Sequence, residues 1–296
     1  MRTLTRFIPA ALVLAVLGYS QTGADPYLGQ KRPGRIPELF APGLVSTPNG
    51  WEAAISFSPD GGTILFTRRA DIKGTENRIM MMEQKDGQWT GPIRAPFAAE
   101  VMEYESFFSP DGSRVIFNSE RPRPAGLSGQ GEIWCVDRSD MGWGEPTYFP
   151  GPVNGGWSMS VTEDRDKTIY FTSMRNGKHG IYQSALKEGR YRDVEYLPAE
   201  INGFKGASHS FIAPDKSFIL FDAQPEGMAK TDLYVSFLGK DGNWTRAVKF
   251  GKEINATKTE GIASVSPDGR YLFFHRQNDI YWVDSVVIGD MRGENR

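Results

Sequence analysis

Ser58-Pro59-Asp60-Gly61, followed after two residues by the apolar run Ile64-Leu65-Phe66, is the stretch on which the fold turns, because the chain repeats it, three times intact and twice in decayed form. The further copies are Ser109-Pro110-Asp111-Gly112, Thr162-Glu163-Asp164-Arg165, Ala213-Pro214-Asp215-Lys216 and Ser266-Pro267-Asp268-Gly269. They begin at 58, 109, 162, 213 and 266, so the period is 51 to 53 residues. Behind each comes a strand closing on an aligned phenylalanine: Phe66, Phe117, Phe171, Phe221 and Phe274. With this alignment the third copy carries one extra residue in its hairpin. A fixed period of this length marks a repeat architecture.

The tetrapeptide recurs for reasons of turn chemistry. Proline presets φ at the second position, aspartate can bond its own backbone at the third, and glycine accepts the fourth. Asp60, Asp111 and Asp268 are therefore turn-formers, each alone on its hairpin, and not metal ligands. Further along each copy a third strand carries Ile79-Met80, Ile133-Trp134, Ile181-Tyr182, Leu233-Tyr234 or Ile280-Tyr281. A fourth follows an aromatic at Trp89, Trp143, Tyr191 or Trp244. Four strands per repeat is the anatomy of a propeller blade. The fifth copy lacks an aromatic-led fourth strand, and residues 37–45 align with residues 247–255, the fourth strand of copy four and its exit. A strand at 36–41 is thus expected to pair with 279–287 and close an all-β, five-bladed propeller. Closure removes the exposed edge of an open array.

The chain has 296 residues, 33 glycines, 19 prolines and 39% hydrophobic residues, a globular and turn-rich composition. Arg2 and Arg6 precede an apolar run from Ile8 to Leu17 and small residues ending at Ala24, the pattern of a secretory signal peptide. The expected organisation is a signal peptide at 1–24, an N-terminal extension at 25–35, the propeller at 36–288 and a C-terminal tail at 289–296, in a periplasmic or extracellular protein. Removing residues 1–24 takes away two arginines and no acid, moving the net charge from −2 to −4. Nucleic acid is not an expected partner, since such binding needs clustered cations. No later run is long enough to cross a bilayer. Cys135 stands alone and reads as core packing. The sequons at Asn243 and Asn255 would matter only in a eukaryotic secretory pathway.

The repeated serine-proline-aspartate-glycine turn, the strand with its terminal aromatic and the isoleucine-tyrosine pair together resemble the WD40-like propeller repeats of the TolB type. The resemblance covers residues 36 to about 288. It implies an exported propeller that serves as a ligand-binding or protein-interaction scaffold. The chain departs from TolB itself in having five blades and no additional N-terminal domain, which separates it from a role with the Tol and Pal proteins.

Each first strand runs into its turn and each second strand runs out, so their far ends meet on the opposite face, where a ligand is expected in the central funnel. Six residues before the aligned turn position stand Glu52, Glu103, Gly156, Ala207 and Glu260; two residues further stand Ala54, Glu105, Ser158, His209 and Ile262. Strand alternation places both sets on one side. Arg68, Arg69, Arg121, Arg175, Gln224 and Arg276 end the second strands. The candidate ligand contacts are Glu52, Arg69, Glu103, Glu105, Arg121, Trp157, Arg175, His209, Glu260 and Arg276. For Glu52, Glu103 and Glu260 the competing account is a structural ring tying blades together. Glu105, Trp157, His209, Arg123 and His179 break the repeat, and residues that blade packing does not demand have the better claim to function. Such groups suit a small molecule, a glycan or an acidic ligand. The loop from Glu120 to Gly131 is placed to form a rim. No phosphate loop, zinc-type spacing or nucleophile elbow is present, so no cofactor and no metal are expected, and a monomer is the default. The alternative is a carbohydrate-active enzyme, a glycoside hydrolase or lyase, drawing its acid and base from the funnel carboxylates.

Overall fold

The computed structural model describes residues 25–126 and 132–295. The signal-peptide reading at 1–24, and residues 127–131 of the proposed rim loop, lie outside the described residues. Five antiparallel sheets stand around one axis as the blades of a propeller. Their inner strands are Trp51–Phe57, Glu103–Phe108, Trp157–Glu163, Lys205–Ile212 and Glu260–Val265. The second strands, Thr63–Arg69, Arg114–Ser119, Ile169–Arg175, Phe218–Gln224 and Tyr271–Arg276, carry the aligned phenylalanines. All five phenylalanines are buried. The outermost strand of the fifth blade is Glu38–Leu39, in register with Trp282 and Tyr281. The N-terminal segment therefore closes the ring, as the alignment of 37–45 with 247–255 requires.

The segments flanking the ring are not loose appendages. Tyr27 packs among Tyr271, Trp282 and Phe57, with ring centroids 4.9, 5.8 and 5.8 Å away. The chain beyond Val283 turns into a short helix, Val286–Asp290, whose Ile288 joins Met291 against the core of blades four and five. Core packing thus extends beyond 36–288 at both ends, because each end supplies an apolar side chain that the neighbouring blades leave room for.

The third hairpin differs from its reading in the sequence. Asp164 N–H bonds the carbonyl of Thr168 just as Ser58 N–H bonds that of Thr63, at 3.0 and 2.9 Å. Asp164, and not Thr162, occupies the serine position, and the hairpin is one residue shorter than the others instead of one longer. The Asp164 side chain replaces the serine hydroxyl by accepting the N–H groups of Asp166 and Thr168. At the glycine position stand Lys167 and Lys216, both at φ 62, in the left-handed region where glycine is at ease. This two-residue shift moves Ser158 into the column of Glu52 and Ser160 into the column of Ala54. Trp157 becomes the counterpart of Trp51 and no longer a departure from the repeat.

Every inner strand carries a register shift at the same place. At its centre sit Ala54, Glu105, Ser160, His209 and Ile262, with φ of 52, 52, 52, 48 and 50. A non-glycine residue held at positive φ costs free energy and persists only where its surroundings fix it. The fixing group is the residue after each aligned phenylalanine. Thr67 Oγ1 accepts the N–H of Glu105, Asn118 Oδ1 that of Ser160, Thr172 Oγ1 that of His209, and Asp222 Oδ1 that of Ile262. In the fifth step His275 Nδ1 lies 2.9 Å from the Glu52 carbonyl of blade one. Four blades therefore hold the bulge of the next directly, the fifth holds the strand two residues before it, and the bulge residues face the axis.

Candidate functional site

The bulge separates residues that strand alternation would keep together. Glu52, Glu103 and Glu260 lie fully buried between inner and second strands. Glu52 pairs with Arg68 Nε at 3.0 Å and accepts the Thr47 hydroxyl at 2.7 Å. Glu103 accepts Arg121 Nε at 2.8 Å, the Ser119 hydroxyl at 2.7 Å and the Ala99 N–H at 2.9 Å. Glu260 lies 3.5 Å from Arg276 and accepts the N–H and hydroxyl of Thr257, both at 2.6 Å. Each arginine also caps the chain leaving the previous blade: Arg68 donates to the carbonyls of Leu44 and Val45, Arg121 to Phe97, Arg276 to Glu253 and Ile254. Its guanidinium lies over the aligned phenylalanine, 5.0 Å from Phe66, 5.7 Å from Phe117 and 5.1 Å from Phe274. In blade three Arg175 keeps this place over Phe171, with Ser173 and Ser158 as its neighbours. The structure thus brings Glu52, Glu103, Glu260, Arg121, Arg175 and Arg276 together as blade ties, away from the lumen.

The axial layer has a different population. His209 Nδ1 lies 2.8 Å from Asp222 Oδ1, and its Nε2 lies 3.6 Å from Glu105 Oε1. The Ser160 hydroxyl donates to the other Glu105 oxygen. The His209 side chain is 22% exposed, while those of Glu105 and Asp222 are 7% and 5% exposed. An imidazole between two nearly buried carboxylates thus reaches solvent from the axis. Burial disfavours the imidazolium, but the charge and hydrogen bond of Asp222 and the charge of Glu105 outweigh it and lift His209 from 6.5 to about 9. Burial also holds Glu105 above the ordinary carboxylate range, although His209 and Ser160 pull it down. Gly261 is needed beside this cluster, since a Cβ there would meet Asp222 Oδ1 at 2.9 Å.

Around the mouth, on the side away from the turns, Trp157 is 39% exposed and its ring stacks on His179 with centroids 6.3 Å apart. Burial and the His209 charge both push the His179 pKa down. Arg69 lies over the Trp51 ring at 4.8 Å and donates to Asn77, and that ring lies 4.8 Å from His275. Burial lowers His275 to about 4, leaving it neutral. The phenol of Tyr104 is pushed up by burial and by Glu105, Glu132 and Glu120, so the field on that flank is negative. Of the residues singled out in the sequence, Glu105, His209, Trp157, His179 and Arg69 gather at this mouth. Asp222, Ser160, Trp51, His275 and Tyr104 join them unannounced.

Among the described residues no group of three or more His, Cys, Asp or Glu side chains could hold a metal ion. No helix of the described residues is long and apolar enough to cross a membrane. Cys135 is buried, 3.3 Å from the Thr147 hydroxyl, and burial pushes its thiol pKa up, which keeps it unreactive.

No family model and no curated protein matches the sequence. Among solved structures, a gluconolactonase from Xanthomonas campestris is 11% identical over 86% of this chain and 95% of its own, with a TM-score of 0.47. A thermostable family-43 glycoside hydrolase is 11% identical over 80% and 91%, with a TM-score of 0.48. An oligogalacturonate lyase in complex with manganese is 16% identical over 79% and 65%, with a TM-score of 0.40. Likeness at this level carries no argument about ligand or activity.

Proposed function

We propose that this chain is an exported TolB-type propeller that binds a small neutral sugar in the funnel opposite the serine-proline-aspartate-glycine turns. The observation that carries the reading is the His209 imidazole, fixed by Asp222 and Glu105 with part of its surface in solvent. A sugar hydroxyl could accept from the His209 imidazolium, donate to Glu105 and rest its apolar ring face on the exposed indole of Trp157. Few convergent polar groups beside an aromatic surface are the usual design of a small-molecule site. Two carboxylates against one imidazolium, with Glu120 and Glu132 near Tyr104, make an acidic sugar a poorer ligand than a neutral one.

Calorimetric titration with neutral sugars, uronic acids and amino sugars tests this. Neutral sugars should bind saturably, and His209→Ala should weaken them roughly ten- to a hundredfold, the worth of a charge-assisted hydrogen bond. Absence of saturable binding across the panel, or an unchanged affinity in His209→Ala, would sink the proposal. Export is tested by sequencing the N-terminus of the mature protein from a secreting host, with cleavage near Ala24 expected.

A glycoside-cleaving enzyme is the second reading, favoured by one observation: Glu105 is held above the usual carboxylate range in the same cluster as a second carboxylate. One acid kept protonated beside another is how such enzymes divide proton donor from base. Under this reading Glu105→Gln abolishes turnover while ligand is still bound; under the binding reading wild-type protein leaves every bound sugar intact.

A further inference from the structure

The propeller axis has a second mouth, on the turn face, and it is built differently. A cavity of about 650 Å³ opens there, within the size range of small-molecule sites. Six phenylalanines are among the residues that line it, Phe108, Phe211 and Phe218 half-buried and Phe57, Phe107 and Phe237 buried. Its inner end holds Ser56, Thr162 and Ser264, whose hydroxyls donate to the carbonyls of Ser106, Ser210 and Ile55 on the next blades. Those hydroxyl protons are committed, so at the inner end these three groups can accept from a ligand but not donate to it. Neither Glu105 nor His209 lines this cavity.

The rim decides the charge of the occupant. Its three carboxylates are hydrogen-bonded within the protein, Glu163 to a cation and Asp215 and Asp268 to neighbours on their own hairpins. Glu163 accepts Nε and Nη2 of Arg114 at 3.0 and 2.9 Å, Asp215 accepts the Ser217 N–H at 3.0 Å, and Asp268 accepts the Ser266 hydroxyl at 2.6 Å and the Arg270 N–H at 3.1 Å. Two guanidiniums on the same lining, Arg165 and Arg292, are exposed. Among the described residues neither is held in an ion pair; Arg165 only lends its field to Asp215. The Arg292 guanidinium lies 4.6 Å from the Phe237 ring and donates to the Ser217 carbonyl at 3.4 Å, which fixes a cation at the edge of an aromatic chamber.

We infer that the turn-face cavity is a second binding site, for a small amphiphile with an aromatic or aliphatic body and one carboxylate or sulfonate head. The body fills the phenylalanine-walled chamber, and the head meets Arg292 and Arg165 at the rim. The site is independent of the sugar funnel and stands or falls without it.

Fluorescence titration with anilinonaphthalene sulfonate, and with phenylnaphthylamine as the same ring system lacking the anion, separates body from head. The sulfonate should bind at one site per chain and be displaced by medium-chain carboxylates but not by the matching alcohols. The double variant Arg165→Gln/Arg292→Gln should weaken the sulfonate about tenfold, as expected for lost charged contacts, and leave phenylnaphthylamine unchanged. Val265→Trp, which fills the chamber from its wall, should abolish binding of both. His209→Ala should change neither, which keeps this test separate from that of the funnel. Equal affinity for the charged and neutral probes, insensitivity to the arginine pair in protein with an unchanged unfolding transition, or loss of binding in His209→Ala would overturn the inference.

Discussion

Glu103 and Glu105 stand two residues apart on one inner strand and meet opposite fates. Glu103 is locked against Arg121, Ser119 and Ala99 in the layer that ties blades together. Glu105, turned to the axis by its positive φ, meets His209 and Ser160 at the floor of the funnel. The same chemistry is structural in one layer and available to a ligand in the next. What separates them is one bulge, repeated in every blade and, at Glu105, held by Thr67 of the blade before it.

The strongest way to break the comparison is to remove an acid from each layer. Glu103→Ala leaves the Arg121 guanidinium, 14% exposed, without its carboxylate, and should destabilise the fold by about 3–5 kcal/mol in urea unfolding. Glu105→Gln keeps a group able to accept from Ser160 and should cost well under half of that. Equal losses would mean that the two layers are not distinct.

The histidines sharpen the contrast through pH. Folding raises His209 from 6.5 to about 9, so its contribution is complete below 6.5 and is lost as pH rises through 9. Folding lowers His275 from 6.5 to about 4, so stability falls as pH drops from 6.5 toward 4, where the unfolded chain binds a proton that the folded one refuses. Each limb should amount to about 2–3 kcal/mol, taking the lower figure for the partly solvated His209. The difference between wild type and His209→Gln should grow smaller above neutral pH. The difference between wild type and His275→Gln should change only on the acid side. Interchange of the two behaviours would refute the assignment of charges at the axis.

Gly261→Ala probes the link between bulge and cluster. Its new Cβ would press on Asp222 Oδ1, and an overpacked interior site costs about 1–3 kcal/mol. Displacing Asp222 should also lower the alkaline midpoint of His209, a change that a purely steric loss would not produce. Trp157→Ala gives the smallest stability effect, within about 0.5 kcal/mol for a surface residue, while weakening any funnel ligand several-fold. A large loss of stability there would make Trp157 a packing residue.

The propeller and its closure were legible because turn chemistry and an aligned phenylalanine recur with a nearly constant period, and because residues 37–45 repeat residues 247–255. The third copy misled because Asp164 does the work of serine with a carboxylate, so the aligned tetrapeptide stood two residues early. The site was half legible. Glu105 and His209 depart from the recurrent pattern and face the axis, but alternation grouped Glu52, Glu103 and Glu260 with them. A bulge at positive φ has no signature in residue type when alanine, glutamate, serine, histidine and isoleucine all occupy it. Asp222 did leave a trace: it stands directly after an aligned phenylalanine, in the column Thr67, Asn118, Thr172, Asp222 and His275, whose polarity inside a blade demanded a partner.

The most direct test of the funnel account is an NMR titration of the His209 imidazole, free and saturated with the tightest-binding neutral sugar. The account predicts a ring protonated through neutral pH, with a midpoint at about 9, and imidazole resonances that move when the sugar binds. A midpoint near the ordinary 6.5, with resonances that no sugar perturbs, would contradict it.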